Sequence, residues 1–122
     1  MTEPEKPLRC ERLLHLFQDK PCLMNLQGCT GVAARALLSR DKQHGHSSRA
    51  AAHDCYSVWA CEHCAAWYET ANRPRRLKQA VWERAFQRQQ VEWRVLAGSS
   101  QTDATDKKAL GWAMRCLHRE QY

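Results

Sequence analysis

Four cysteines at two spacings constrain this chain more than any other feature. Cys22 and Cys29 bracket a six-residue turn, CLMNLQGC, and Cys61 and Cys64 form a CxxC about thirty residues further on. Two such knuckles bring four thiolates into a tetrahedron around zinc, with Zn–S distances of about 2.3 Å. The CxxC spacing suits this because both thiols reach one ion when a tight turn runs into a helix. At 122 residues there is room for one core and an appended helix, not for two independent cores. In so small a core a structural zinc contributes on the order of 10 kcal/mol of folding free energy.

Cysteines bind metal rather than pair with each other in a reducing compartment. The opening MTEPEKPL has no apolar stretch of a secretory leader, and no apolar run approaches the ~20 residues that cross a bilayer. A cytoplasmic protein with no membrane partner is therefore expected. The other three of the seven cysteines, Cys10, Cys55 and Cys116, sit in apolar surroundings and read as buried small hydrophobes.

The chain contains no isoleucine, five valines and two phenylalanines, which is little material for an extended sheet. An α+β, mostly helical fold with at most a small hairpin follows. A short helix is expected over 9–18, with Leu13, Leu14 and Phe17 on one face and Pro21 closing it. Residues 22–29 read as strand, turn and knuckle, 32–38 as either helical turns or a strand, and 39–53 as a loop. A helix starts near Cys61. A long helix spans 74–96, with Asn72 as N-cap, Pro74 in its first turn, and Leu77, Ala80, Val81, Ala85, Phe86, Val91 and Val95 as its apolar stripe. Residues 98–104, GSSQTDA, read as a linker. A last helix covers 105–119, capped by Thr105 or Asp103, with Leu110, Ala113, Met114 and Leu117 inward.

Charge is concentrated on the long helix. Between Arg73 and Arg94 the local charge is +5, against +6 for the whole chain. Arg73, Arg75, Arg76, Lys78, Arg84 and Arg88, interleaved with glutamines and two tryptophans, suit phosphate contacts on nucleic acid, with DNA the expected partner. His63, inside CEHC, is open to a role as metal ligand or DNA contact.

The knuckles resemble a small prophage-encoded HNH-like nuclease family, the YbcO-like proteins. KPCLMNLQGCTG is similar to that family's first knuckle, HDCYSVWACEHCAAWYE to its Asp-to-CxxC segment, and FQRQQVEWRVLAG to its closing helix. The resemblance covers residues 9–98 and leaves 99–122, linker and helix, as an addition. It implies a zinc-stabilised ββα-metal core followed by the basic helix and the C-terminal helix. In active members a strand histidine serves as general base on water, and a second metal ion, Mg or Mn, stabilises charge on the phosphate. Here the strand histidine falls on Ser39 and the histidine after the second CxxC on Ala65, while Asp54 keeps the acidic position. A serine does not act as a base near neutral pH without another group activating it. Two arrangements would restore the chemistry: His44 or His46, in the loop after Ser39, supplying the base, or His53 and His63 assembling a rearranged metal site. The catalytic candidates are thus His46, His53 and Asp54. The resemblance implies a phage-type DNA-binding protein, as a metal-dependent endonuclease or a non-cutting relative. The alternative is a regulator that engages a host enzyme through the Arg-rich helix.

Overall fold

A computed structural model describes residues 9–44 and 52–120. Among them the order is α1 (Glu11–Leu14), β1 (Arg35–Leu38), a 3-10 turn (Lys42–His44), β2 (Ser57–Ala60), α2 (Glu62–Thr70), α3 (Arg75–Gly98) and α4 (Ala104–Glu120). The fold is α+β, with one two-stranded antiparallel sheet. The segment 32–38, open between helix and strand in the sequence, supplies β1, paired Arg35 to Ala60 and Leu38 to Ser57.

So small a sheet survives because neighbours bond its edges and bury the whole of β2. All four residues of β2 are buried. Its outer backbone groups are taken by neighbours: Leu23 donates its N–H to the Trp59 carbonyl (2.9 Å), and the Trp59 N–H donates to Gln89 Oε1 of α3 (2.7 Å). The Trp82 indole N–H donates to the Leu37 carbonyl (3.2 Å). Edge groups left without such partners would each lose a hydrogen bond on burial. The core runs from Leu13 through Leu37, Val58, Trp59 and Tyr68 to Trp82 and Phe86 of α3, and on to Leu110, Ala113 and Leu117 of α4.

Two elements, α1 and α3, differ from expectation. The helix expected over 9–18 is a single turn, Glu11–Leu14, followed by turns up to Asp19, which takes a left-handed φ of 62°. On α3 the N-cap is Pro74, not Asn72, and no side chain caps it. Its buried face is Lys78, Trp82, Ala85, Phe86, Gln89 and Trp93, whereas Leu77, Val91 and Val95 are about half exposed or more. The two tryptophans carry more apolar area than the valines and turn the helix onto the sheet by that side. On α4 the cap is Asp103, whose Oδ1 accepts from the Asp106 N–H (2.8 Å).

α4 packs against α1 and α3. Cys55 and Cys116 meet there, both buried, with Sγ atoms 2.6 Å apart. Cys10 departs from its expected burial and is only partly covered.

Candidate metal centre and the polar site beside it

The first knuckle is shaped by backbone that the sequence makes cheap. Asn25 takes φ 53°, and Gly28 and Gly31 take φ 88° and 85°, a region that glycine and asparagine enter most readily. The bridge Pro21–Val32 closes the base of the loop, and Cys22 N–H donates to the Gly31 carbonyl (3.1 Å). The second knuckle is a helix start. Cys61 is the N-cap of α2, and its Sγ accepts from the Cys64 N–H at 3.4 Å.

These two turns bring Cys22, Cys29, Cys61 and Cys64 together, with all four Sγ atoms within 4.8 Å of one another. A tetrahedron with Zn–S of about 2.3 Å has S···S edges of about 3.8 Å, and the Cys29 and Cys61 sulfurs lie 3.9 Å apart. The donor set and its size therefore fit a metal ion such as zinc. Burial pushes up the Cys61 thiol, but N–H groups of Cys64 and Thr30 outweigh it and bring the value down to about 6. Burial raises Cys29 and Cys64.

His63 points at the backbone of the first knuckle and is not one of the four clustered ligands. Its Nε2 lies 2.7 Å from the Gln27 carbonyl, a contact that places a proton on that nitrogen and ties α2 to the Cys22–Cys29 turn. Gly28 makes room for the ring: a Cβ there would fall 2.7 Å from Nε2.

Asp54 and His53, neighbours in sequence, have different surroundings. The Asp54 carboxylate is 2% exposed. It accepts from Arg9 at Oδ1 (3.0 Å) and from the Cys10 N–H at Oδ2 (2.7 Å), while the Arg9 guanidinium also reaches the Ala52 carbonyl (2.5 Å). This carboxylate anchors the N-terminal segment, and a metal ion there would have to displace Arg9. The His53 ring instead tilts against Tyr56, centroids 6.3 Å apart. His46 lies outside the described residues. Ala65 is wholly buried in α2, so nothing polar stands at that position.

Ser39 is at the end of β1 and 1% exposed, and an imidazole does stand beside it. The Ser39 hydroxyl is 2.7 Å from His44 Nδ1. It accepts from the Asp41 N–H (3.1 Å) and from Gln79 Nε2 (3.3 Å). With both lone pairs occupied, its only proton donates to Nδ1, which makes His44 a neutral ring protonated at Nε2. That Nε2 faces Glu83 Oε1 at 3.7 Å. The direction of Gln79 is fixed independently: Arg40 N–H donates to Tyr68 OH (2.8 Å), which donates to Gln79 Oε1 (2.5 Å), so its Nε2 serves Ser39 and Glu83 (3.2 Å). His44 also stacks on Tyr56, centroids 4.1 Å apart. Burial lowers its pKa below the usual imidazole value, against the pull of Glu83 and Asp41.

Asp41, His44 and Glu83 form a second group whose ligand atoms all lie within 4.8 Å of one another. No motif pointed to Glu83, which sits among arginines on a helix some forty residues away.

Of the six basic residues singled out on α3 and its approach, Arg73, Arg75, Arg76, Arg84 and Arg88 are exposed. Lys78 departs from the set. It is 5% exposed on the inner face, and burial, with the Arg75 and Arg40 charges, lowers its pKa. Arg75 sits over the Tyr68 ring, 5.6 Å from its centroid, and Arg88 donates to the Leu23 carbonyl (3.2 Å). Among the described residues no helix is long and apolar enough to cross a membrane.

No protein-family model, curated protein or solved structure matches this chain.

Proposed function

We propose that this chain is a zinc-scaffolded DNA-binding protein of phage type, an HNH-like relative that binds without cutting, working in the host cytoplasm. The outward face of α3 carries the reading. Arg76, Arg84, Arg88 and Arg94 are all exposed, and the arc they share, from helical spacing, holds no carboxylate. The span from Arg76 to Arg94 is about 27 Å, long enough to meet several successive phosphates. Four soft thiolates in a tetrahedral set favour zinc over harder ions. Thiolate ligands require a reducing compartment.

Binding without cutting rests on Ser39 and Asp54. Ser39 is buried beneath Gln79 and His44, and Asp54 is committed to Arg9 and Cys10. Neither offers a base or a metal ligand to a phosphate in the manner of the resembled family. Fluorescence anisotropy with a labelled duplex across a salt series tests the reading. Four phosphate contacts give a slope of log K on log salt of about −3.6. No duplex binding even at low salt would sink it.

The Asp41–His44–Glu83 group favours a second reading, a Mg- or Mn-dependent endonuclease with a relocated centre. Plasmid nicking with either ion that is lost in His44→Ala would establish it over the non-cutting one. Leu77, Val91 and Val95, exposed between the arginines, favour a host protein partner on the same helix. A stable complex with such a protein, without duplex binding, would be its signature.

A further inference from the structure

A second basic surface lies away from the metal knuckle, between α1 and α4. A cleft of about 240 Å³ opens there, walled by Arg9, Cys10 and Arg12 on one side and by Thr105, Lys108, Ala109, Trp112 and Arg115 on the other. The α4 residues recur at three- and four-residue steps, so they share one helix face. Among the described residues no carboxylate lines the cleft.

Its four cations are of two kinds. Arg9 is held by Asp54, and Arg12 by Asp106 (2.5 Å) and more distantly by Asp103 (3.9 Å). These carboxylates fix the two guanidinium groups in place from outside the cleft. Lys108 and Arg115 are exposed and have no carboxylate partner among the described residues. Arg115 is also kept close to its helix: a Cβ on Gly111 would meet its guanidinium at 3.2 Å. Trp112 is half-buried, packed on the core by part of its indole, with the remainder facing the cleft it lines. Two uncommitted cations beside a fixed aromatic surface match a ligand with an anionic oxygen group next to a flat ring. At about 240 Å³, below the ~300–1,000 Å³ of typical small-molecule pockets, the cleft has room for one nucleotide unit.

We propose that this cleft binds a single unpaired nucleotide, its phosphate on Arg115 and Lys108 and its base stacked on Trp112. The same chemistry is offered by a free mononucleotide and by an unpaired base in single-stranded DNA. The second source rests on the DNA-binding reading and extends it from duplex to unpaired strand. Base stacking on an aromatic side chain tolerates any sequence, and the phosphate contacts make binding salt-sensitive.

The zinc-loaded full chain is titrated with a labelled oligothymidylate, with thymidine monophosphate and with inorganic phosphate. The expected result is saturable oligonucleotide or mononucleotide binding that Trp112→Ala weakens by about 5- to 150-fold, the range for losing one base stack. Trp112→Phe keeps most of it. Lys108→Ala with Arg115→Ala weakens the same ligand, and these exposed residues leave the melting temperature in place. Oligonucleotide binding alone assigns the site to a strand, and mononucleotide binding assigns it to the free ligand. Absence of binding of either, phosphate binding as tight as mononucleotide, or affinity within twofold of wild type in the Lys108–Arg115 double variant overturns the proposal. Arg84→Ala with Arg88→Ala, read on a duplex, reports the α3 surface separately, so either surface can fail without the other.

Discussion

Gly28 and His63 make one contact between them, and it decides how the two knuckles face each other. Gly28 holds φ 88° and its missing side chain is the space the His63 ring fills. Gly28→Ala therefore carries two penalties. The left-handed backbone costs about 1–2 kcal/mol for a residue with a Cβ, and the ring must leave the Gln27 carbonyl. The expected outcome is a lower melting temperature together with about tenfold weaker metal retention, as for loss of a group that orients a ligand. Chelator competition with a colorimetric zinc indicator measures it. His44 makes a pH-dependent prediction. Its imidazole is neutral in the fold and its pKa depressed by burial, so the unfolded chain binds the proton more readily. The stability it contributes is complete above the ordinary value of 6.5 and is lost as pH falls from there through the folded value. Thermal melts between pH 7.5 and 5 should show wild type losing stability faster than His44→Gln. Parallel curves would mean that the ring is not held neutral. Of this, only the closeness of His44 to Ser39 was legible beforehand, as one of two histidines in the loop that follows it. His63 read as a ligand or a DNA contact because a CxxC histidine has both uses, and only the fold shows that its ring reaches a carbonyl thirty-six residues away.

At the scale of elements, period and composition located the helices well and their faces less well. The long helix appears within two residues of its expected ends, since Pro74 fixes its start and the linker its finish. Its inward face was misjudged because hydropathy ranks valine and leucine above a tryptophan. Here Trp82 and Trp93 are wholly or almost wholly buried, while Val91 and Val95 are exposed. The same rotation takes Lys78 off the basic surface. α3 thus separates two kinds of cation with different expected phenotypes. Arg84→Ala should reduce the salt slope of duplex binding by about 1 and weaken all sequences alike. Lys78→Met should leave that slope unchanged and hold or raise stability, because it removes a buried charge crowded by Arg75 and Arg40 and keeps the stem's packing. Equal losses of slope in the two variants would show that Lys78 reaches phosphate. The four-cysteine cluster, by contrast, was readable in full from two spacings. Thiol ligands on short turns are a local property, whereas the Ser39–His44–Gln79–Glu83 network joins a strand end, a 3-10 turn and a distant helix.

For the molecule as a whole the question is whether the metal knuckle is a separable clip or part of the one core. Cys22, Cys61 and Cys64 are buried, and so are Leu23 and Met24 within the first knuckle. All five belong to the same cluster that reaches Leu110 and Leu117 of α4. Leu23 and Gln89 of α3 together close the outer edge of β2, both through the Trp59 backbone, and β1 pairs with the other edge. Without an ion between them, four thiolates within 4.8 Å of each other would repel until they are protonated or moved apart. A domain of this size has a net stability of only about 5–15 kcal/mol, and a structural zinc contributes on the order of 10 kcal/mol. The metal-free chain should therefore lose the sheet, and α3 and α4 should lose the surface they pack on. Chelation is expected to abolish near-ultraviolet dichroism from the buried tryptophans and most helical signal in one coincident transition, reversed by adding zinc under reducing conditions. If the helical signal and the tryptophan signal both persist in metal-free protein, the knuckle is only a clip. Helices that persist while the tryptophan signal is lost would show that α3 and α4 pair on their own, independently of the sheet.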